Sequence, residues 1–99
     1  MAIEVADASP AFDQRTGEPL IAFRMTEASA RLFAGLTLRN VGKVLTIRVD
    51  GRVVSKPVVR EPILGGSGQI LGGFSVEQAR DIAARLASGK AKLEFEFEN

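Results

Sequence analysis

Residues Asp50–Ser75 read DGRVVSKPVVREPILGGSGQILGGFS, and the turn chemistry in this stretch sets the architecture. Asp50-Gly51 stands between two runs rich in Val, Ile and Leu. A tight hairpin turn needs positive φ, which this dipeptide adopts at little cost. On the N-terminal side Leu45, Ile47 and Val49 alternate with Thr46, Arg48 and Asp50, the pattern of a strand with one apolar face. The second arm covers Val53–Val59. Pro57 has no N–H for a ladder, so this arm is an edge, a bulge, or both. Glu61-Pro62 ends it. Gly65-Gly66-Ser67-Gly68 then bends where residues with a Cβ resist. Gln69-Ile70-Leu71 forms a short further strand, and Ser75 caps a helix, with Gln78 three residues later completing a capping box.

Working outward, Val76, Ala79, Ile82, Ala83 and Leu86 form one face of a helix over Val76–Ser88 that Gly89 terminates. Asp81 and Arg85 add an i,i+4 pair on its wet face. In Lys90–Glu98, Ala91, Leu93, Phe95 and Phe97 alternate with charged residues, which gives a closing strand. Towards the N-terminus, Ile3–Asp7 alternates, Pro10 and the turn-rich Asp13–Glu18 break the pattern, and Leu20–Met25 resumes it. Thr26 caps a helix whose buried stripe is Leu32, Phe33 and Leu36, ending near Asn40–Gly42.

The elements follow the order β-β-α-β-β-(β)-α-β. Without the first strand this is the β-α-β-β-α-β order of a ferredoxin-like fold. The expectation is one α+β domain over residues 1–99: a two-layer sandwich with a mainly antiparallel sheet and two helices on one face. There is no internal repeat.

Composition narrows function mostly by exclusion. With 13 basic and 12 acidic side chains spread along 99 residues, no long-range field favours nucleic acid or anionic lipid. No apolar run nears the roughly 20 residues of a spanning helix, and Met1–Glu4 is not the start of a leader. Cys, His, Tyr and Trp are all absent, which removes Ser-His-Asp and Cys-His sites, thiolate and imidazole metal ligands, and the usual base-stacking residues.

Four features remain that could carry chemistry. Ser55-Lys56 is the only adjacent Ser/Lys pair, and on a strand the two side chains leave opposite faces. Glu94, Glu96 and Glu98 share one strand face, which reads as a solvated surface that deters edge pairing rather than a calcium site. Gly65–Gly68 has clustered backbone N–H groups but no following Gly-Lys-Ser/Thr, so it reads as a connector rather than a phosphate loop. Arg48, Arg52, Lys56 and Arg60 gather around the hairpin without interleaved aromatics and read as solvating residues rather than a nucleic-acid patch. No catalytic residue, metal or cofactor is assigned.

The residues also carry a likeness. Asn40-Val41-Gly42-Lys43, Val49-Asp50-Gly51-Arg52-Val53-Val54-Ser55, Pro57-Val58-Val59-Arg60-Glu61-Pro62-Ile63, Gly65-Gly66-Ser67-Gly68-Gln69-Ile70, and Gly72 with Phe74-Ser75-Val76-Glu77 and Ala79 together resemble the extracytoplasmic domain of SecD, an accessory subunit of the bacterial protein-export translocase. Gly17-Glu18-Pro19 and Arg31-Leu32-Phe33 extend the likeness, so it covers roughly Asp13–Gly89. Lys56, Leu71 and Gly73 depart from the family's usual residues, and Lys90–Asn99 stands where the family is expected to continue into a membrane span. The resemblance implies a ferredoxin-like α+β module, periplasmic or otherwise extracytoplasmic, excised or free-standing. It implies a non-enzymatic role contacting polypeptide or a protein partner in export. Candidate contact residues are Ser55, Lys56, Pro57, Arg60, Gly65, Gly66, Ser67, Gly68 and Gln69, where an edge strand and a flexible segment could accept an extended chain. The alternative is a ligand-sensing module that binds a small anion at Gly65–Gly68.

Overall fold

Apolar alternation and turn residues produce seven strands and two helices in a computed structural model that describes residues 1–98. They are β1 (Ala2–Ile3), β2 (Val5–Phe12), β3 (Pro19–Met25), α1 (Glu27–Arg39), β4 (Val44–Val49), β5 (Arg52–Ser55), β6 (Ser67–Ile70), α2 (Val76–Ala87) and β7 (Leu93–Glu98). The α+β class and the antiparallel pairing are as expected. The strands divide into two sheets rather than one, in the orders β1-β7-β4-β5 and β2-β3-β6.

The single strand expected over Ile3–Asp7 is where the chain changes sheets. β1 pairs with β7, whereas β2 pairs with β3 and runs on through Pro10 to Phe12. Glu4 lies between them, its N–H donating to Ser29 Oγ at 3.0 Å and its carbonyl accepting from Thr26 N–H at 3.0 Å. Pro10 fits inside β2 because an edge strand bonds on one side only and can spare N–H groups. The loop to β3 closes on Asp13, whose Oδ1 accepts the Arg15 and Thr16 N–H groups at 2.8 and 3.2 Å. These bonds, above all the one from Arg15, hold its carboxyl below the usual range.

At the Asp50-Gly51 turn both residues have positive φ, 52° and 83°, as a two-residue hairpin with this twist requires. The second arm proves to be both edge and bulge. Ile47 faces Ser55 while Arg48 faces Val53, so Val54 is the extra residue. Regular strand stops at Ser55, short of the expected Val59, but contact resumes past Pro57: Val44 bridges Val58 and Leu45 N–H donates to the Pro57 carbonyl at 2.8 Å.

The two sheets share one core. Phe23 of β3 meets Phe95 of β7 edge-on at 6.1 Å between ring centroids, and Phe33 of α1 lies 4.9 Å from Phe95. α2 packs against β2 and β3, burying Ala79, Ala83 and Leu86, and its capping box forms through both Ser75–Gln78 bonds. α1 is turned differently from the expected stripe: it buries Ser29, Phe33 and Thr37, and Leu32 is 53% exposed. Thr37 can be buried because its hydroxyl donates to the Phe33 carbonyl at 3.0 Å and accepts the Ile63 N–H at 3.0 Å.

Candidate functional site

Where the outer strands of the two sheets face each other, the core opens to the surface. β5 and the chain after Pro57 edge the larger sheet, and β6 edges the smaller one. Between them lies a largely apolar cleft of about 240 Å³, floored by Phe23, Phe33, Leu45, Ile47 and Phe95. Its walls are Pro57–Glu61 with Ile63 on one side and Ser67–Gln69 on the other. At one end the walls meet: Ser55 Oγ donates to the Leu71 carbonyl at 2.6 Å. Beside that bond Gly72 lies so close to the Val54 carbonyl that a Cβ would sit 2.2 Å from its oxygen. Away from that end the walls part.

Three anchors shape the opening. Thr37 holds the Ile63 N–H and so fixes the far end of the Pro57-side wall to α1. Gly66, at φ 73°, makes the turn into β6, its carbonyl accepting Met25 N–H at 2.7 Å. A Cβ there would lie 2.8 Å from Ala30 Cβ. Gly68 packs against the Phe23 ring, 2.9 Å from where its own Cβ would be. A larger residue at Gly68 would displace the ring that floors the cleft.

Of the residues singled out from sequence, Pro57, Arg60, Ser67, Gly68 and Gln69 line this one cleft. Gly65 is exposed and Gly66 is buried in the turn leading to it. Ser55 and Lys56 diverge. The serine hydroxyl closes the cleft's end, while Lys56 Nζ lies 3.6 Å from Glu98 on the larger sheet. The Ser/Lys pair therefore has no shared proton path. The aromatic and aliphatic floor was hidden in the sequence because it gathers from β3, α1, β4 and β7; the regular placing of Leu45, Ile47 and Phe95 on inward positions was its only trace.

Two of the three glutamates on the acidic strand face have cations beside them. Glu96 takes Arg48 at 2.8 Å, and Glu98 accepts the Thr46 hydroxyl and faces Lys56. The Thr46 bond first, and then the nearby positive charge of Lys56, holds the Glu98 carboxyl below its ordinary value. On the hairpin corner Asp50 takes the Lys92 N–H at 2.9 Å and the Arg85 guanidinium. Arg85 thereby adds to its expected partner Asp81, 3.8 Å away, a second one on the turn.

Known proteins share this fold. The family described as SecDF, P1 head subdomain matches residues 2–92. Protein translocase subunit SecD of Thermobaculum terrenum is 39% identical over 90 residues, which is 91% of this chain and 17% of that protein. SecDF of Thermus thermophilus is 44% identical over 86 residues, 87% of this chain and 12% of that one. The chain thus spans under a fifth of the length of either relative. Among solved structures, SecDF described as a membrane component that enhances protein export superposes with a TM-score of 0.81 at 40% identity, covering 97% of this chain and 43% of that one. SecDF in a super-membrane-facing form also gives 0.81 at 40% identity, over 95% of this chain and 13% of that one. A match over 97% of the chain leaves too few residues outside it to omit all of β7, so the closing strand too has a counterpart in SecDF. With residues 2–92 matched to the family and identity near 40% over most of its length, the chain belongs to the SecDF P1 head subdomain family.

Proposed function

We propose that this domain serves protein export outside the cytoplasm by holding a stretch of unfolded polypeptide, without catalysis, in the cleft between its two sheets. The observation that carries the reading is the cleft itself: an opening to the surface above a buried apolar floor, flanked by strand edges. Apolar side chains of an extended chain can be buried there while its backbone meets the edges, the mode of strand addition. Membership of the SecDF family, with relatives named as translocase subunits, supports the export setting. The commitments of Ser55 to Leu71 and of Lys56 to Glu98 support a role without catalysis.

Site-specific photo-crosslinking tests it. A photoreactive residue at Glu61 or Gln69 is expected to capture a reduced, unfolded model polypeptide, and one at Arg80 on the exposed face of α2 is expected not to. Capture confined to Arg80 would sink the proposal.

A further inference from the structure

Hydrogen-bond register shows which main-chain groups face the cleft. Met25 N–H donates to the Gly66 carbonyl, and β3 pairs with β6 as Arg24↔Ser67, Phe23↔Gly68, Ala22↔Gln69 and Ile21↔Ile70. Bonded and non-bonded pairs alternate along an antiparallel ladder. Gly66, Gly68 and Ile70 therefore turn their N–H and C=O groups towards β3, and Ser67 and Gln69 turn theirs away, into the gap. Leu71 obeys the same alternation, since its carbonyl receives the Ser55 hydroxyl from across that gap.

The opposite wall follows the same rule. Leu45 N–H donates to the Pro57 carbonyl and Val59 N–H to the Lys43 carbonyl, flanking the Val44–Val58 bridge. Val58 is therefore the residue whose N–H and C=O point away from β4. Among the described residues no backbone hydrogen bond joins the Pro57–Arg60 segment to β6. Ser55 lies against Leu71 at one end, and Pro57–Glu61 and Ser67–Gln69 wall the same cleft. The two walls therefore run antiparallel to each other.

We infer that the cleft holds one extended polypeptide segment, X, as a strand bonded on both of its edges, through Ser67 and Gln69 on one side and Val58 on the other, so that it joins the two sheets in the order β1-β7-β4, then β5 with the Pro57–Arg60 segment, then X, then β6-β3-β2. This rests on the polypeptide-holding function proposed above and specifies its mode. Because the walls are antiparallel, any inserted strand is parallel to one and antiparallel to the other, so both chain directions meet the same pair of edges. Recognition falls on the backbone, which every polypeptide shares, while the Phe23, Phe33 and Phe95 floor takes the side chains of alternate residues. Such a site asks only for apolar side chains at alternate positions and for the absence of proline.

Backbone N-methylation of the ligand tests this mode. The probe is a fluorescent ten-residue peptide alternating valine with serine or lysine, compared with copies N-methylated at two odd or at two even positions. In an extended chain, odd and even N–H groups leave opposite edges. Bonding on both edges requires each copy to bind about tenfold or more weaker than the parent, the loss of about one net hydrogen bond's contribution. If either copy binds as well as the parent, the strand presents only its unmodified edge, or the peptide is held by side chains alone; each result overturns the two-edge mode and leaves the polypeptide-holding reading standing. If the parent itself fails to bind, that reading fails with it. Gln69→Pro supplies the matching change in the protein. It removes an N–H that β3 does not use, so melting should stay near that of the parent chain while parent-peptide affinity falls; unchanged affinity with intact folding counts against the Gln69 edge.

Discussion

The Asp50-Gly51 corner and the Pro57–Gln69 cleft lie in one continuous stretch of sequence and treat their polar groups in opposite ways. At the corner the Asp50 N–H donates to the Lys92 carbonyl, and the Asp50 carboxylate takes Lys92 N–H and Arg85. In the cleft, edge groups of Val58, Ser67 and Gln69 point into open space above an apolar floor. Both contain glycine and both interrupt strands, yet one turn is bonded back into the fold and the other side leaves strand edges unpaired. Glycine content alone therefore does not distinguish a structural turn from a binding edge. The accounting of main-chain hydrogen bonds does.

The sharpest way to break this contrast is at Phe33, which is 1% exposed and belongs to both the core and the cleft floor. Phe33→Ala is expected to cost about 3–5 kcal/mol of unfolding free energy by urea titration. A loss under about 1 kcal/mol would mean that the floor is a surface groove and not an opening into the core. Next in size is Asp50→Ala, which removes charge-assisted bonds to Arg85 and Lys92. Because the Asp50 and Arg85 side chains are both over a third exposed, it should lower stability by only about 0.5–1.5 kcal/mol and leave peptide capture at Gln69 unchanged; lost capture with unchanged stability would assign the corner to the site.

The smallest effect is the response to acid. Asp13 and Glu98 are held below their ordinary values of 3.8 and 4.5. Over the interval between folded and ordinary values the unfolded chain binds more protons than the folded one, so stability rises with pH there. Their contribution is complete above the ordinary values and is lost as pH falls through the lowered ones. Denaturation midpoints should therefore fall below about pH 4.5, less steeply in Asp13→Asn and in Glu98→Gln. Identical acid slopes in all three proteins would remove these carboxylates from the account.

What could be read in the sequence was local. The Asp50 turn, the Ser75–Gln78 cap and the inward Leu93 and Phe95 depend on neighbours a few residues away, and all are formed. Partnership was not legible. β3 pairs with β6 across an intervening helix and hairpin, and nothing in either strand's alternation names its partner, so a single sheet was the simplest reading of strands that fold into two. Leu32 misled because apolar spacing was weighed without hydroxyls: a threonine that bonds the preceding turn can enter a core, and Thr37 took the inward place. The site was half visible. Its glycine and proline walls carry turn signals, but its floor joins four elements and exists only once they pack.

The close approach of Gly72 to Val54, beside the Ser55–Leu71 bond, makes a joint that closes one end of the gap. Ser67, four residues from Leu71, stands about 14 Å along the strand from that joint. A rotation of about 10° between the sheets about this point would move the far lip by about 2.4 Å, roughly half the spacing between paired strands. The width of the opening is thus set away from the closed end, where a small difference in angle between the two sheets is magnified along the length of β6.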